Sequence, residues 1–326
     1  MSNKTFIIIF TALLFFQFSF GQITDAEKKL KEKNADTTQG WKTGGVFALN
    51  LSQTSLTNWA AGGQPSLSLN GLLSTFANYK KGKTVLDNSL DLGYGILRQG
   101  KKSDFMKTDD KIDFLSKYGR EAFTNFYYAA LINFKTQMRP GYNYPNDSVI
   151  ISNLLSPAYL LGAIGMDYKP NNYFSMFLSP LTAKITIVND KTLADAGAFG
   201  VDPATYDNLG NVLIHGKKIK KELGGYIRVI YSRNDFKEEL LKNIALTTKM
   251  DLFSNYLKNP QNIDVSWETQ IAFKVNKFIS VNINTHLLYD DDIDIQIDNN
   301  DDGIIDATGP RIQFKEILGI GFAYKF

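Results

Sequence analysis

From Trp41 to the last residue the chain alternates apolar and polar side chains, and no other feature restricts its fold as strongly. Successive side chains of a strand point to opposite faces, so residues two apart share a face. Ile263, Val265, Trp267, Thr269, Ile271, Phe273 and Val275 make one such face. Its reverse carries Asp264, Ser266, Glu268, Gln270, Ala272, Lys274 and Asn276. The next segment sets Val281, Ile283, Thr285, Leu287 and Tyr289 against Asn282, Asn284, His286 and Asp290. Upstream, Phe126, Tyr128, Ala130, Ile132, Phe134 and Met138 oppose Asn133, Lys135, Gln137 and Arg139. The chain closes on Leu318, Ile320, Phe322, Tyr324 and Phe326 in one phase. Segments at 46–53, 66–80, 84–98, 110–118, 158–168, 173–187, 222–233 and 242–254 follow the same rule. The total is about twelve, an even number, as bacterial single-chain barrels require.

The connections give an independent reading. Short turns at Lys80–Lys83, Lys169–Asn172 and Val275–Phe278 alternate with long links at Ser52–Gln64, Gln99–Asp109, Arg139–Pro157, Asn189–Lys221 and Asp290–Pro310. With both termini in the periplasm, the short turns fall inside and the long loops outside, the asymmetry of outer-membrane barrels. A soluble β-sandwich or lipocalin-like barrel also alternates. It buries its apolar phase, however, and the charges of the opposite phase need water or partners. Tyrosines at segment ends (Tyr79, Tyr94, Tyr118, Tyr168, Tyr173, Tyr231, Tyr289, Tyr324) match interfacial girdles. The expected fold is therefore all-β, an antiparallel up-and-down transmembrane barrel of about twelve strands in the outer membrane.

The N-terminus fits an exported chain. Met1-Ser2-Asn3-Lys4, an apolar run from Phe6 to Phe16, and the small residues Ser19 and Gly21 are in signal-peptide order. Residues 1–21 are read as a cleaved signal peptide, 22–40 as a charged helical or flexible periplasmic lead, and 41–326 as the barrel. No later apolar stretch reaches the ~18 residues of a spanning helix. Cysteine is absent, which removes a lipoprotein anchor, disulfides, a thiol nucleophile and thiolate-bound metal. With 36 basic and 33 acidic side chains the net charge is +3, and no basic patch marks a nucleic-acid partner. The expected partners are outer-membrane lipid and the barrel-assembly machinery, engaged through the last strand ending at Phe326.

The stretch Gly40-Trp41-Lys42-Thr43-Gly44-Gly45 and the later Ser55-Leu56-Thr57-Asn58-Trp59-Ala60-Ala61-Gly62-Gly63 resemble the opening of a Bacteroidetes family of unknown function, DUF3078. Leu178–Lys184 with Leu193–Val201 is similar to its middle, and Gly309–Glu316 to its final strand. The resemblance implies an outer-membrane barrel and supplies no catalytic residue.

One loop carries a metal-like motif. In Asp298-Asn299-Asn300-Asp301-Asp302-Gly303-Ile304-Ile305-Asp306, oxygen ligands fall at positions one, three, five and nine, with glycine at six. An EF-hand loop begins this way, and Asp298, Asn300, Asp302 and Asp306 would hold a structural Ca²⁺. Position twelve is Gly309 instead of the bidentate glutamate, and Asp290, Asp291, Asp292 or Asp294 would have to supply the missing ligand. The competing reading is a solvated acidic loop.

Asp87, Asp91, Lys111, Lys135, Arg228, Lys249, Glu268, Lys274, His286 and Arg311 are expected to line the lumen, with Asp113, Asp251 and Asp264 in the same phase. They line a hydrophilic channel or pair with one another and fill it. The mixed signs favour pairing, because unpaired charge in a confined lumen is costly. His286 invites a hydrolase reading, but no Gly-x-Ser-x-Gly elbow is present and its phase is inward. The loop Ser55–Gly63 with Trp59, and the link Asn189–Lys221 with His215, are the best surface-binding candidates, since loops carry function. The leading expectation is a narrow channel or solute-uptake barrel without catalytic residues. The alternatives are a structural or surface-binding barrel with a calcium-ordered loop and, third, a membrane hydrolase.

Overall fold

The computed structural model describes residues 39–56, 63–100, 103–144, 146–171, 173–239, 241–275, 279–297 and 306–325. The expected signal peptide and nearly all of the lead lie outside this set.

Each alternating segment becomes a strand. The first five are β1 (Gly40–Thr54), β2 (Ser66–Lys81), β3 (Thr84–Gln99), β4 (Met106–Phe123) and β5 (Phe126–Thr136). Two short ones follow, β6 (Gly141–Tyr142) and β7 (Ile150–Ser152), then β8 (Ala158–Tyr168) and β9 (Phe174–Ile187). A short helix, Lys191–Asp195, precedes the small β10 (Thr205–Tyr206) and β11 (Val212–Ile214). Next come β12 (Ile219–Arg233), β13 (Ile244–Asn255), β14 (Ile263–Lys274) and β15 (Ile279–Tyr289). The small β16 (Ile295–Ile297) and β17 (Ala307–Gly309) lead into β18 (Gln313–Lys325).

The long strands form one antiparallel ring in the order β1-β2-β3-β4-β5-β8-β9-β12-β13-β14-β15-β18, with β18 paired back onto β1. Neighbours in the ring are neighbours along the chain, so this is the expected twelve-stranded up-and-down barrel. The small strands pair locally as β6–β7, β10–β11 and β16–β17.

The two faces of the wall differ as the alternation requires. On β5, Tyr128 is 63% and Ile132 54% exposed, while Leu131 is 2% and Asn133 6% exposed. Trp41, Leu51, Ile164, Leu318 and Ile320 likewise stand outward and exposed. Asp113, Asp167, Arg228, Lys249 and Asp251 are buried in the interior. This is a globular core turned inside out, and it suits an apolar solvent outside the wall.

One end of the barrel carries 82–83, 124–125, 169–173, 234–243 and 275–278; this is the turn end, where β1 starts and β18 finishes. The other, the loop end, carries 55–65, 100–105, 137–157, 188–218, 256–262 and 290–312. The tight turns have suitable chemistry: Gly82 (φ 56°) and Asn125 (φ 67°) take the left-handed conformation that short hairpins need.

Some expected boundaries move. β4 starts at Met106 instead of 110, which shortens the expected link Gln99–Asp109 to 100–105, and Met138 falls beyond β5. The run Lys107-Thr108-Asp109-Asp110 is polar on both faces and hides a strand from the alternation. There Asp110 accepts hydrogen bonds from Met138 N (2.8 Å) and Arg139 N (2.9 Å). The separation of turns by length also has an exception, since 234–243 at the turn end is longer than 100–105 at the loop end. A bulge between Ile164 and Met166 shifts the β8–β9 register, and a side chain at Gly165 would collide with the Leu178 carbonyl.

Candidate functional site

The inward phase brings distant residues into one charged layer. Lys111 and Asp113 come from β4, Lys135 from β5, Arg228 from β12, Lys249 and Asp251 from β13, and Glu268 from β14. In the ring of twelve, β4 and β14 stand directly opposite each other. Lys111 Nζ nevertheless lies 3.4 Å from Glu268 Oε2, so one ion pair crosses the whole lumen. Asp113 receives Lys111, Lys135 and Lys249, each at 3.8 Å, and accepts a hydrogen bond from Asn133 Nδ2 at 2.6 Å. Lys249 also reaches Glu268 at 3.3 Å. Asp251 faces Arg228 (3.4 Å) and Lys135 (3.8 Å) and accepts from the Tyr226 hydroxyl at 2.6 Å. A buried charge without a partner is expensive, and here each one is paired.

Beneath this layer, at the turn end, Lys117 meets Asp167 at 2.6 Å, and Lys169 meets Asp167 and Asp87, each at 3.1 Å. Asp91 accepts from the Ser74 hydroxyl. An apolar cluster of Leu131, Ala163, Phe177, Tyr226 and Phe253 covers the inner wall along β5, β8, β9, β12 and β13.

Toward the loop end the lumen widens into a cavity of about 440 Å³. Tyr159, Leu161, Phe253 and Leu288 supply apolar wall, and Phe199 and Ile293 enter from the links 188–218 and 290–312. Asp264, Asp290, Lys184 and the pair Ser266–His286 also line it. Lys184 Nζ is 2.6 Å from Asp264, 3.4 Å from Asp290 and 3.7 Å from Glu222.

The links around this cavity are built structures. Val188, Leu193, Ala194 and Val201 form a buried cluster that also packs against Ile150 and Phe199. Asp190 caps the short helix by accepting from Thr192 N and Leu193 N. The Gly216 N–H, with the His215 ring beside it, holds the Asp195 carboxyl below its ordinary range. Phe199 sits at φ 59°, an unfavourable backbone for a bulky residue, between Gly197 and Gly200, which are also left-handed. A side chain at Gly200 would press on Asp292, so the two longest links touch there. Burial alone would raise the Asp292 carboxyl, but hydrogen bonds from Lys220 (2.6 Å) and Lys258 (2.8 Å) outweigh it and hold it below the usual range.

The expected lumen residues separate into three groups. Asp87, Asp91, Lys111, Lys135, Arg228, Lys249, Glu268 and His286 lie on the inner side of the ring. Lys274 has the inward phase of β14, and its side chain is outside the described ones. Arg311 is corrected: it precedes β18, is exposed, and donates to the Pro310 carbonyl at 3.0 Å, so it is no part of the wall.

Of the metal-ligand candidates, Asp298, Asn300 and Asp302 lie outside the described residues, and Asp306 is an exposed residue just before β17. Asp290 and Asp292, considered as extra ligands, are engaged by lysines. Of the loop Ser55–Gly63, residues 57–62, Trp59 included, are also outside the described set.

One contact escaped the sequence reading. Ser266 Oγ lies 3.1 Å from His286 Nε2, a cross-strand neighbour relation that needs the β14–β15 register to be seen. Glu268 stands 4.0 Å from that same nitrogen. In a catalytic triad the acid orients histidine from the other ring nitrogen, so this arrangement differs from one.

The ring, its apolar exterior and its charged interior define a transmembrane β-barrel whose lumen is crossed by an ion pair. Residues 51–142 match a family described as protein of unknown function (DUF3078), so over that stretch the resemblance read from the sequence holds. The similar segments near 40–45, 178–201 and 309–316 lie outside the matched residues. No curated protein matches the chain.

Among solved structures the chain is similar to an outer membrane channel from Pseudomonas putida F1, at 9% identity and a TM-score of 0.39. That alignment covers 89% of this chain and 97% of the other. It is also similar to the translocator domain of the autotransporter NalP from Neisseria meningitidis (10% identity, TM-score 0.32, 92% and 93% covered). A third is OprB of Pseudomonas putida (8% identity, TM-score 0.31, 88% and 94% covered).

Proposed function

We propose that the protein is an outer-membrane channel for small solutes whose lumen is barred by paired charges. Lipid covers the apolar belt, and the turn end, with both termini, faces the periplasm. The gathering of long, folded links at one end supports that orientation. The last strand, β18, is the segment the assembly machinery would engage.

The Lys111–Glu268 pair carries the reading. Eight-stranded barrels are filled by side chains and those of sixteen or more strands are open, so a twelve-stranded barrel has room to conduct unless something spans it. Here that span is a set of long, flexible side chains with their charged ends together. Lysine and glutamate stems can swing aside where a packed aromatic core could not. On both sides of the layer lie polar surfaces: the loop-end cavity above, and Asp87, Lys117, Asp167 and Lys169 below.

Planar-bilayer recording of the refolded protein tests this. Wild type is expected to show rare, small openings. The double variant Lys111→Ala/Glu268→Ala is expected to show conductance several-fold larger. Silence in both, or equal conductance, would overturn the proposal.

A further inference from the structure

We infer that the loop-end cavity is a binding pocket for a small amphiphile with an apolar or aromatic body and one protonated amine. The inference names the solute class for the channel proposed above, and it is tested by binding instead of conduction so that either can fail alone.

Size and lining come first. A volume of about 440 Å³ falls within the ~300–1,000 Å³ common for small-molecule pockets. Tyr159, Leu161, Phe253, Leu288, Phe199 and Ile293 offer apolar surface from three wall strands and two loop-end links. A sugar or an inorganic ion would leave that surface unused, whereas a ring or short alkyl body would cover it.

Charge decides the polar end of the ligand. The two lysines of the lining are already committed. Lys135 has Asp113 and Asp251, each at 3.8 Å, and Lys184 is shared by Asp264, Asp290 and Glu222. An incoming carboxylate would have to displace one of these partners. The acids are in surplus. Glu222 has Lys220 as a second cation at 3.2 Å, but among the described residues Asp264 and Asp290 have Lys184 alone within ion-pair distance.

Asp290 uses Oδ1 to accept from Asp292 N at 3.0 Å and Oδ2 for Lys184. Asp264 gives Oδ2 to Lys184 at 2.6 Å, and its Oδ1 accepts no hydrogen bond among the described residues. Asp264 lines the cavity and is not closed off, its side chain being 23% exposed. A ligand ammonium donating to Asp264 Oδ1 would restore one cation for each of these two carboxylates. Such charge-assisted hydrogen bonds are roughly twice as strong as neutral ones. Its apolar body would then lie along Phe253 and Leu288, toward Phe199.

Calorimetry on the full chain refolded in detergent micelles, with micelle-only titrations subtracted, tests this. Three matched probes are 2-phenylethylammonium, 3-phenylpropionate and 2-phenylethanol. The amine is expected to bind saturably, at least tenfold more tightly than the acid. Asp264→Asn should weaken the amine tenfold or more and leave the alcohol unchanged. Leu288→Trp, which fills the cavity and keeps the charges, should abolish binding of both. Heat-modifiable gel mobility verifies that each variant is a folded barrel. Absence of saturable amine binding to wild type, acid binding as tight as amine, or unaltered amine affinity in folded Asp264→Asn would overturn the inference. The comparison of amine with acid on wild type stands even if a variant fails to fold. Conductance without amine binding would remove the pocket and keep the channel, and binding without conductance would do the reverse.

Discussion

The lumen has two unlike walls. Along β4, β5, β12, β13 and β14, long charged side chains extend inward and meet over Asp113 and Glu268. Along β15, β18, β1, β2 and β3 the inward positions include Asn282, Asn284, Gly319, Gly321, Asn50, Asn70, Gly93 and Gly95, set among the charged or ionisable Asp87, Asp91, His286 and Lys315. The first wall reaches; the second recedes. Both line the same polar interior, but they do different work. Charges extended from one arc meet across the lumen, and the small residues that the other arc sets beside Asp87, Asp91, His286 and Lys315 give those side chains their space. A barrel charged evenly all round would put far more ions into the same volume, each needing its own partner.

The contrast can be attacked from either side. The largest effect is expected from Asp113→Asn. It removes the carboxylate that Lys111, Lys135 and Lys249 share, keeps the shape, and leaves those cations facing one another in a buried layer. Breaking a buried pair costs roughly 3–5 kcal/mol, which urea unfolding of the refolded barrel in lipid vesicles would register.

A smaller effect is expected on the receding wall from Gly321→Leu. A side chain there would run into Asn50 Oδ1 and the Asn282 amide, which lies 2.9 Å from the Cβ position. Overpacking of this kind costs typically ~1–3 kcal/mol. The same unfolding experiment measures it, and a change within error would mean that the wall has more room than its contacts indicate.

The sequence was most readable where one physical rule acts alone. Alternation located all twelve wall strands, because lipid on one side and a polar lumen on the other impose a period of two on every crossing. Inward residues such as Lys135, Lys249 and Glu268 could be assigned by phase without knowing the ring. Where two faces are both polar the rule is silent, and so the start of β4 at Met106 was missed. Arg311 shows the opposite error: it keeps the inward phase of β18 but lies beyond the strand, where phase no longer carries meaning.

Pairing was legible only in general. Balanced signs said that the charges would neutralise one another; that Lys111 meets Glu268 across the ring depends on strand order, side-chain reach and the absence of bulk on the facing wall. The cavity was not legible at all. Phe199 and Ile293 come from links without periodicity, and Ser266 meets His286 only through the β14–β15 register.

The central claim is that one ion pair spans the barrel, and a double-mutant cycle on Lys111 and Glu268 tests it most directly. Unfolding free energies of wild type, Lys111→Ala, Glu268→Ala and the double variant give the coupling between the two positions. A real contact across the lumen predicts a coupling of about 1–3 kcal/mol, with the double variant less damaged than the sum of the singles. Additivity within about 0.5 kcal/mol would mean that the two side chains do not meet, and the lumen would not be barred as described.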